Sequence, residues 1–410
     1  MKVSFRRWCP NMAELNAILT FIGFALFSQI VYGHEDSSIE FRSQGATLSI
    51  LYRCFSLIIA LILIINNCYR HRICVDRVLK STFCLFALMS LKLLYALFLA
   101  PYSHMWSSDI ISLRLSFLFG VTIIPLYAMV LTFYKINWSK VFLFIAIALL
   151  YICLSTLIYN TGNEGRIDLN SHQSSLAFGA YSAYLFIIAC CTFSKDKSKI
   201  LKLAIVGLGI VGLIGLLKAG SRSPLISAIA ALFPLLLKKG NGRYLVVIIL
   251  GIIMIGPTLF AFFEDFAPVI FERLEGAMNK DESTMERLIA FDLAINQMLD
   301  NLLCGESPIF YSKWAYGFGP HNLPLQVAMG LGIGGFVWVC ILYIIFFRKS
   351  LKSINGDYVS RIFACLMFYF LIRTQTGVDI YYASDFGLVI IGLYMYKCRF
   401  DYGIYKKNIK

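Results

Sequence analysis

VFLFIAIALLYICLSTLIY, residues 141–159, contains no charged residue and no proline or glycine. A run of about 20 mostly apolar residues is what an α-helix needs to cross the hydrocarbon of a bilayer. There the chain must satisfy its own backbone N–H and C=O groups, and a helix does so within the segment. The run is bracketed by lysines at 135 and 140 on one side and by the near-neutral NTGNEGRIDLNSH, residues 160–172, on the other. The same grammar repeats along the chain. Overall 59% of the 410 residues are hydrophobic, 15% are charged, and the mean hydropathy is +0.73, values outside those of soluble domains. An all-α, polytopic integral membrane protein is expected.

Twelve spans are expected, at Leu15–Gly33, Leu48–Cys68, Ser81–Ala100, Ile110–Phe133, Val141–Tyr159, Gln173–Phe193, Ile200–Leu217, Pro224–Leu237, Tyr244–Phe263, Leu323–Phe347, Val359–Gly377 and Ala383–Tyr396. Basic segments recur at every second connection: the N-terminus, Arg70–Lys80, Lys135–Lys140, Lys195–Lys202, Lys238–Arg243, Arg348–Lys352 and the C-terminus. Because Lys and Arg are retained on the cytoplasmic side, both termini are assigned there. The formal charge of +14 then reflects topology and contact with anionic lipid, not nucleic-acid binding. The first apolar run reads as a retained helix and not as a cleaved signal peptide.

Of the twelve cysteines, only Cys304 falls clearly in an outward loop, which argues against a disulfide framework. No CxxC pair, HExxH or Walker-type loop is present, so no metal or cofactor is expected. Three regions follow: 1–217 with spans one to seven, 218–347 with spans eight to ten and the loop 264–322, and 348–410 with the last two spans and a tail.

The loop 264–322 is far longer than the usual connection of about 4–6 residues and falls on the outer face. Within it STMERLIAFDLAINQMLDNLL, residues 283–303, reads as an amphipathic helix with Ser283 and Glu286 at capping-box spacing. Arg287 sits in its first turn, where a cation opposes the helix dipole. The plain alternative is a solvent-exposed arginine. Basic residue types are also unevenly distributed. Outer positions hold Arg42, Arg53, Arg114, Arg166, Arg222, Arg273, Arg287 and Arg373 against Lys218, Lys280 and Lys313, with Lys92 near mid-membrane. Lysine suffices as a topology signal, whereas the guanidinium fork holds phosphate oxygens at two points. Arg53, Arg114 and Arg373 lie a few residues inside the membrane, where a charge faces a cavity or a partner, or snorkels to the headgroups.

Arg222 lies in KAGSRSPLISAIAALFPLLL, residues 218–237, in a short turn with Gly220 before a helix that Pro224 opens and Ser221 or Ser223 caps. A helix N-terminus and a guanidinium can grip the same anion. Anchoring to a headgroup is the other reading. In GFGPHNLPLQ, residues 317–326, Asn322 is the expected N-cap and Pro324 suits the first turn, so His321 stands at the outer mouth of the tenth span. An imidazole there can accept a proton, or it can simply hydrogen-bond its own loop.

GSRSPL (220–225), MERLIAFDLAINQML (285–299) and PHNLPLQVAMGLGIGG (320–335), in this order, resemble the O-antigen polymerase and O-antigen ligase superfamily of polytopic membrane glycosyltransferases. The resemblance covers roughly 218–347. It implies metal-independent, inverting glycosyl transfer from an undecaprenyl-diphosphate-linked glycan on the periplasmic face of the bacterial inner membrane. By the same resemblance, Arg222 and Arg287 hold the diphosphate and His321 serves the attacking hydroxyl as base or hydrogen-bond partner. Arg53, Arg114, Arg373 and Asn322 are auxiliary candidates for binding substrate. In TGVDIYYASD, residues 376–385, Asp379 and Tyr382, with Tyr381 and Asp385, are candidates for sugar contacts. The implied partners are undecaprenyl-diphosphate-linked repeat units, the bilayer and, as a further candidate, a chain-length regulator protein.

A polymerase, with a second lipid-linked repeat as acceptor, is favoured over a ligase acting on lipid A core, because Leu-Pro-Leu-Gln follows His321 without an acidic residue. A lipid-linked oligosaccharide flippase or other transporter is the reading from another class. Against it, the chain shows no internal repeat and carries its candidate chemistry in one oversized loop.

Overall fold

The computed structural model describes residues 9–32, 41–68, 76–98, 114–159, 167–169, 175–193, 198–236, 282–310, 319–377, 380 and 383–396. Among these every regular element is helical, and eight stretches are long and apolar enough to cross a membrane. The first joins α1 (Met12–Ile18) through a π-helical turn (Leu19–Gly23) to α2 (Phe24–Tyr32). Then come α3 (Phe41–Cys68) and α4 (Arg77–Phe98). The fourth stretch, Arg114–Lys135, contains a second π-helical turn (Leu118–Ile123) and α5 (Ile124–Thr132). α6 (Trp138–Tyr159), α7 (Ser175–Thr192), α8 (Lys199–Lys218) and α11 (Leu323–Ser353) complete the eight. Residues 141–159 therefore lie inside one uninterrupted helix, as their composition predicts.

Three expected spans fall on shorter helices, α9 (Arg222–Leu236), α12 (Tyr358–Arg373) and α13 (Ser384–Met395). The ninth, Tyr244–Phe263, lies outside the described residues, as does the beginning of the long loop. The amphipathic helix of that loop is α10 (Glu282–Asp300). It begins before Ser283, so that serine lies within the helix and not at the position before it. It also ends before Leu302, which belongs to a turn at 301–304.

Lipid-facing and protein-facing surfaces separate cleanly. Ile200 is 84% exposed, Leu203 74% and Ile65 67%. Helices exposing such side chains are stable in hydrocarbon, which is as apolar as the side chains themselves. The centre of the bundle is α12, whose Ile362 to Phe370 are all buried. It packs against α7, α9, α11 and α13. Aromatic rings fill this centre: Tyr184 meets Tyr369 edge-on at 5.2 Å and Trp138 meets Phe363 at 4.9 Å. Polar ties fix the register of α1 against its neighbours. Buried Glu14 pairs with Lys140 at 3.1 Å, and the Asn16 Nδ2 donates to the Pro125 carbonyl at 3.0 Å.

The lengths of α12 and α13 bear on the site. At one end the two are tied, with the Tyr396 hydroxyl donating to Asp357 Oδ2 at 2.7 Å. From there α12 has 16 residues and α13 has 12, which at about 1.5 Å per residue is roughly 24 and 18 Å. A hydrocarbon core is about 30 Å thick. Each of the two helices is therefore shorter than a full crossing.

Candidate functional site

Three turns meet at the Arg373 end of α12. Gly220, with φ +60°, closes the turn that leads from α8 into α9, so Arg222 is the first residue of α9. Its neighbours reach across to other elements: Ser223 Oγ hydrogen-bonds Thr376 Oγ1, and Ser221 Oγ lies 3.5 Å from Ser175 Oγ. The second turn carries His321. Asn322 is the N-cap of α11 as its sequence predicts, its Oδ1 accepting from the Leu325 N–H at 3.0 Å. The Asn322 Nδ2 donates to the Gln375 carbonyl at 3.2 Å, and the Leu323 N–H donates to the Thr374 carbonyl at 2.8 Å. The third turn, 374–376, follows Arg373 at the end of α12 and is hydrogen-bonded to both of the others.

Arg222, His321 and Arg373, far apart in the chain, thus flank one three-residue turn. Asn322 is the clamp that holds the histidine's loop to it. His321 is exposed and has φ +49°, the only positive φ among the described non-glycine residues. That conformation costs an L-residue about 1–2 kcal/mol, and it falls between Pro320 and the Asn322 cap. Arg222 is half-buried and Arg373 buried, with the Arg373 Nη1 donating to the Tyr369 hydroxyl at 2.9 Å. Arg222 opens a helix at this turn, His321 is exposed beside it, and the Arg373 guanidinium turns back one helical turn onto Tyr369.

Arg287, expected in the first turn, is half-buried one turn further along α10, because the helix already runs from Glu282. That helix is docked on the first half of α11 through Ala294, Phe310 and Met329, and the Gln297 Nε2 donates to the carbonyls of Ser307 (3.2 Å) and Ile309 (3.0 Å). It therefore packs on protein along one face, while Met285, Leu288, Ile289 and Ile295 remain exposed on another. Arg53 and Arg114 are buried elsewhere. Arg53 of α3 stacks over the Phe117 ring at 4.7 Å and donates to Ser116, and Arg114 opens the fourth span. Asp379, Tyr381 and Tyr382 lie outside the described residues. Asp385, in the first turn of α13, accepts a hydrogen bond from the Tyr184 hydroxyl.

One feature of this region was not anticipated from sequence. α11 is broken at Gly332, with φ 70° and ψ −164°. The segment after α10 fills the break: the Ile333 N–H donates to the Leu302 carbonyl, and the Glu306 N–H donates to the Met329 carbonyl, both at 2.8 Å. Contact is backbone on backbone. A Cβ at Gly305 would lie 2.4 Å from the Gly332 nitrogen, and one at Gly332 would lie 2.5 Å from the Leu302 oxygen. Lys92 of α4 completes the joint, its Nζ donating to the carbonyls of Cys304 and Gly305 at 3.0 Å each. Irregular backbone at membrane depth persists only where its polar groups are satisfied by protein. Gly330, Gly332, Gly334 and Gly335 in one apolar run, together with a lone lysine in another, were the available signals.

Neither protein-family models nor curated proteins give a match to this chain.

Proposed function

We propose that the chain is a membrane glycosyltransferase of the O-antigen polymerase kind, joining polyprenyl-diphosphate-linked oligosaccharide repeats at the periplasmic face. Twelve spans and cytoplasmic termini belong to this reading. The observation that carries it is that Arg222, His321 and Arg373, from three distant segments, flank the one turn 374–376.

In this scheme Arg222 and Arg287, supported by Arg373, hold the diphosphate and stabilise the charge that develops as it leaves. The acceptor hydroxyl attacks the anomeric carbon from the opposite face, and the glycosidic C–O electrons depart with the diphosphate. His321 accepts or orients the hydroxyl proton. A single displacement of this kind inverts the anomeric centre.

Gene deletion followed by gel analysis of lipopolysaccharide tests the reading. Core bearing a single repeat unit supports it. Core without any O-antigen assigns the chain to the ligase or flippase step, and an unchanged ladder refutes a role in this pathway. In a complemented strain His321→Ala and Arg287→Ala are each expected to abolish polymer while leaving membrane insertion intact. Full polymer from either variant removes that residue from the mechanism.

A further inference from the structure

Two helices fix the depth of the segment that follows α10. Lys92, which holds the Cys304 and Gly305 carbonyls, stands 15 residues beyond Arg77, the first residue of α4. Ile333, whose N–H donates to the Leu302 carbonyl, stands 15 residues before Arg348, the first charged residue of α11. At about 1.5 Å per residue each path is about 22 Å. Arginine is costly within hydrocarbon, so the Arg77 and Arg348 ends mark one boundary of a core about 30 Å thick. Residues 302–305 therefore lie about 8 Å beneath the other boundary. Leu303 is nevertheless 80% exposed, and Leu299 in the last turn of α10 is 55% exposed.

Taken at about 100° per residue, α10 has three sides. Ala290, Leu293, Ala294 and Gln297 meet the first half of α11 and the segment 307–310. Leu288, Ile295 and Leu299 fall within about 40° of one another on the side turned away from that contact. All three are exposed, and Leu302 and Leu303 continue the row past the end of the helix. Asp292, Asn296 and Asp300, also exposed, form a polar row between the two sides. An upright α10 would carry Asp300 below the boundary with Leu302, an expensive place for an exposed carboxylate. A helix about 10 Å across that lies along the boundary avoids this. Such helices sink their apolar side about 5–10 Å, which matches the depth of the joint and leaves the polar row at headgroup level.

We propose that α10 lies along the membrane–water boundary opposite the Arg77 and Arg348 ends, with Leu288, Ile295, Leu299, Leu302 and Leu303 among the acyl chains and Asp292, Asn296 and Asp300 among the headgroups. Lipid is the occupant because the apolar row continues a lipid-facing surface. Leu303 lies against Gly332, whose neighbour Ile333 is exposed on α11, and Lys92 at the joint is preceded by the exposed Leu91 of α4. Insertion here is apolar and not electrostatic. α10 carries four acidic residues and one arginine, so anionic headgroups do not draw it in and zwitterionic lipid suffices. This placement does not depend on the glycosyltransferase reading.

Cysteine labelling on the full chain, one copy per nanodisc of pure phosphatidylcholine, tests the proposal. Asp292→Cys, Ile295→Cys, Asn296→Cys and Leu299→Cys interleave the two rows along one stretch of helix, and peptide mass spectrometry reads each site apart from the native cysteines. A water-soluble, membrane-impermeant maleimide is expected to label 292 and 296 readily. It should label 295 and 299 about tenfold more slowly or less, because the reactive thiolate is disfavoured in hydrocarbon. Similar rates at all four sites, whether fast or slow, overturn the proposal: fast throughout puts the helix in water, and slow throughout sinks or covers it whole. As a second readout, p-benzoylphenylalanine in place of Leu299 should yield on illumination an adduct with the mass of phosphatidylcholine. An adduct to protein instead of lipid also overturns it.

Discussion

Replacing Lys92 by Met should loosen the joint between α10 and α11 without unfolding the bundle. The Lys92 ammonium donates to the carbonyls of Cys304 and Gly305 at 3.0 Å each. Hydrogen bonds involving a charged group contribute about 1.5–3 kcal/mol each, so about 3–6 kcal/mol of interaction is lost. Methionine recovers part of it, because the ammonium no longer has to be held at membrane depth, a cost of about 2.5–3.5 kcal/mol. Global stability should therefore fall by about 0–3 kcal/mol. The local effect is sharper, since that relief does nothing for the two orphaned carbonyls. If loop opening becomes easier by about 1.5–3 kcal/mol, protection of the Glu306 and Ile333 amides drops roughly tenfold to a hundredfold. These amides bond Met329 and Leu302 across the joint. Hydrogen exchange by mass spectrometry in nanodiscs reads this directly on peptides covering 302–310 and 329–335. Lys92→Arg, which keeps a cation, should restore most of the protection. A folded Lys92→Met protein whose exchange at both peptides matches wild type refutes the clamp.

Gly332→Ala combines a backbone conformation reserved for glycine with a Cβ 2.5 Å from the Leu302 oxygen. A loss of about 2–4 kcal/mol is expected, visible as a lower thermal midpoint in detergent. His321→Gly removes the left-handed strain at φ +49° and adds unfolded-state entropy of similar size. It should melt within about 1 kcal/mol of wild type yet make no polymer, whereas a β-branched residue there should also destabilise. Asp357 caps α12. Burial pushes its carboxyl up, but the Tyr396 hydroxyl, the Ser360 N–H and Arg361 outweigh that and hold it below the ordinary carboxylate value. With the folded value depressed, its contribution is present above the unfolded value of about 3.9 and is lost as pH falls through the folded one. Asp357→Asn, which keeps the cap but not the charge, should thus be less stable than wild type at pH 7, and the gap should close below about pH 4. A gap independent of pH contradicts the assignment.

Much of the fold is legible in the chain, because a membrane imposes a local rule. Residues 141–159 must be a helix in hydrocarbon whatever surrounds them, and the same holds for every long apolar stretch seen here. Caps are local too: Asn322 and Pro324 announce the start of α11, and the structure has the Asn322 side chain bonded to the Leu325 N–H. Helix ends are less secure. Ser283 reads as a cap in the sequence but lies inside α10, since capping residues also occur within a first turn.

The site was legible as a set of residues but not as a place. Sequence singled out Arg222, His321 and Arg373 one at a time, by residue type and position relative to a span. That the three share the turn 374–376 depends on which helices pack on α12, and packing is a property of surfaces contributed by distant segments. Lys92 shows the same limit from the other side. In the chain it is a charge in the wrong solvent; its partners are backbone carbonyls at 304 and 305, which no side-chain pattern can announce. The break at Gly332 likewise exists only because a second backbone lies against it. The sequence by itself determined that the chain lives in a membrane and which residues are costly there. The tertiary structure decided what those residues face, because in hydrocarbon a polar group is stable only beside a partner that the rest of the fold delivers.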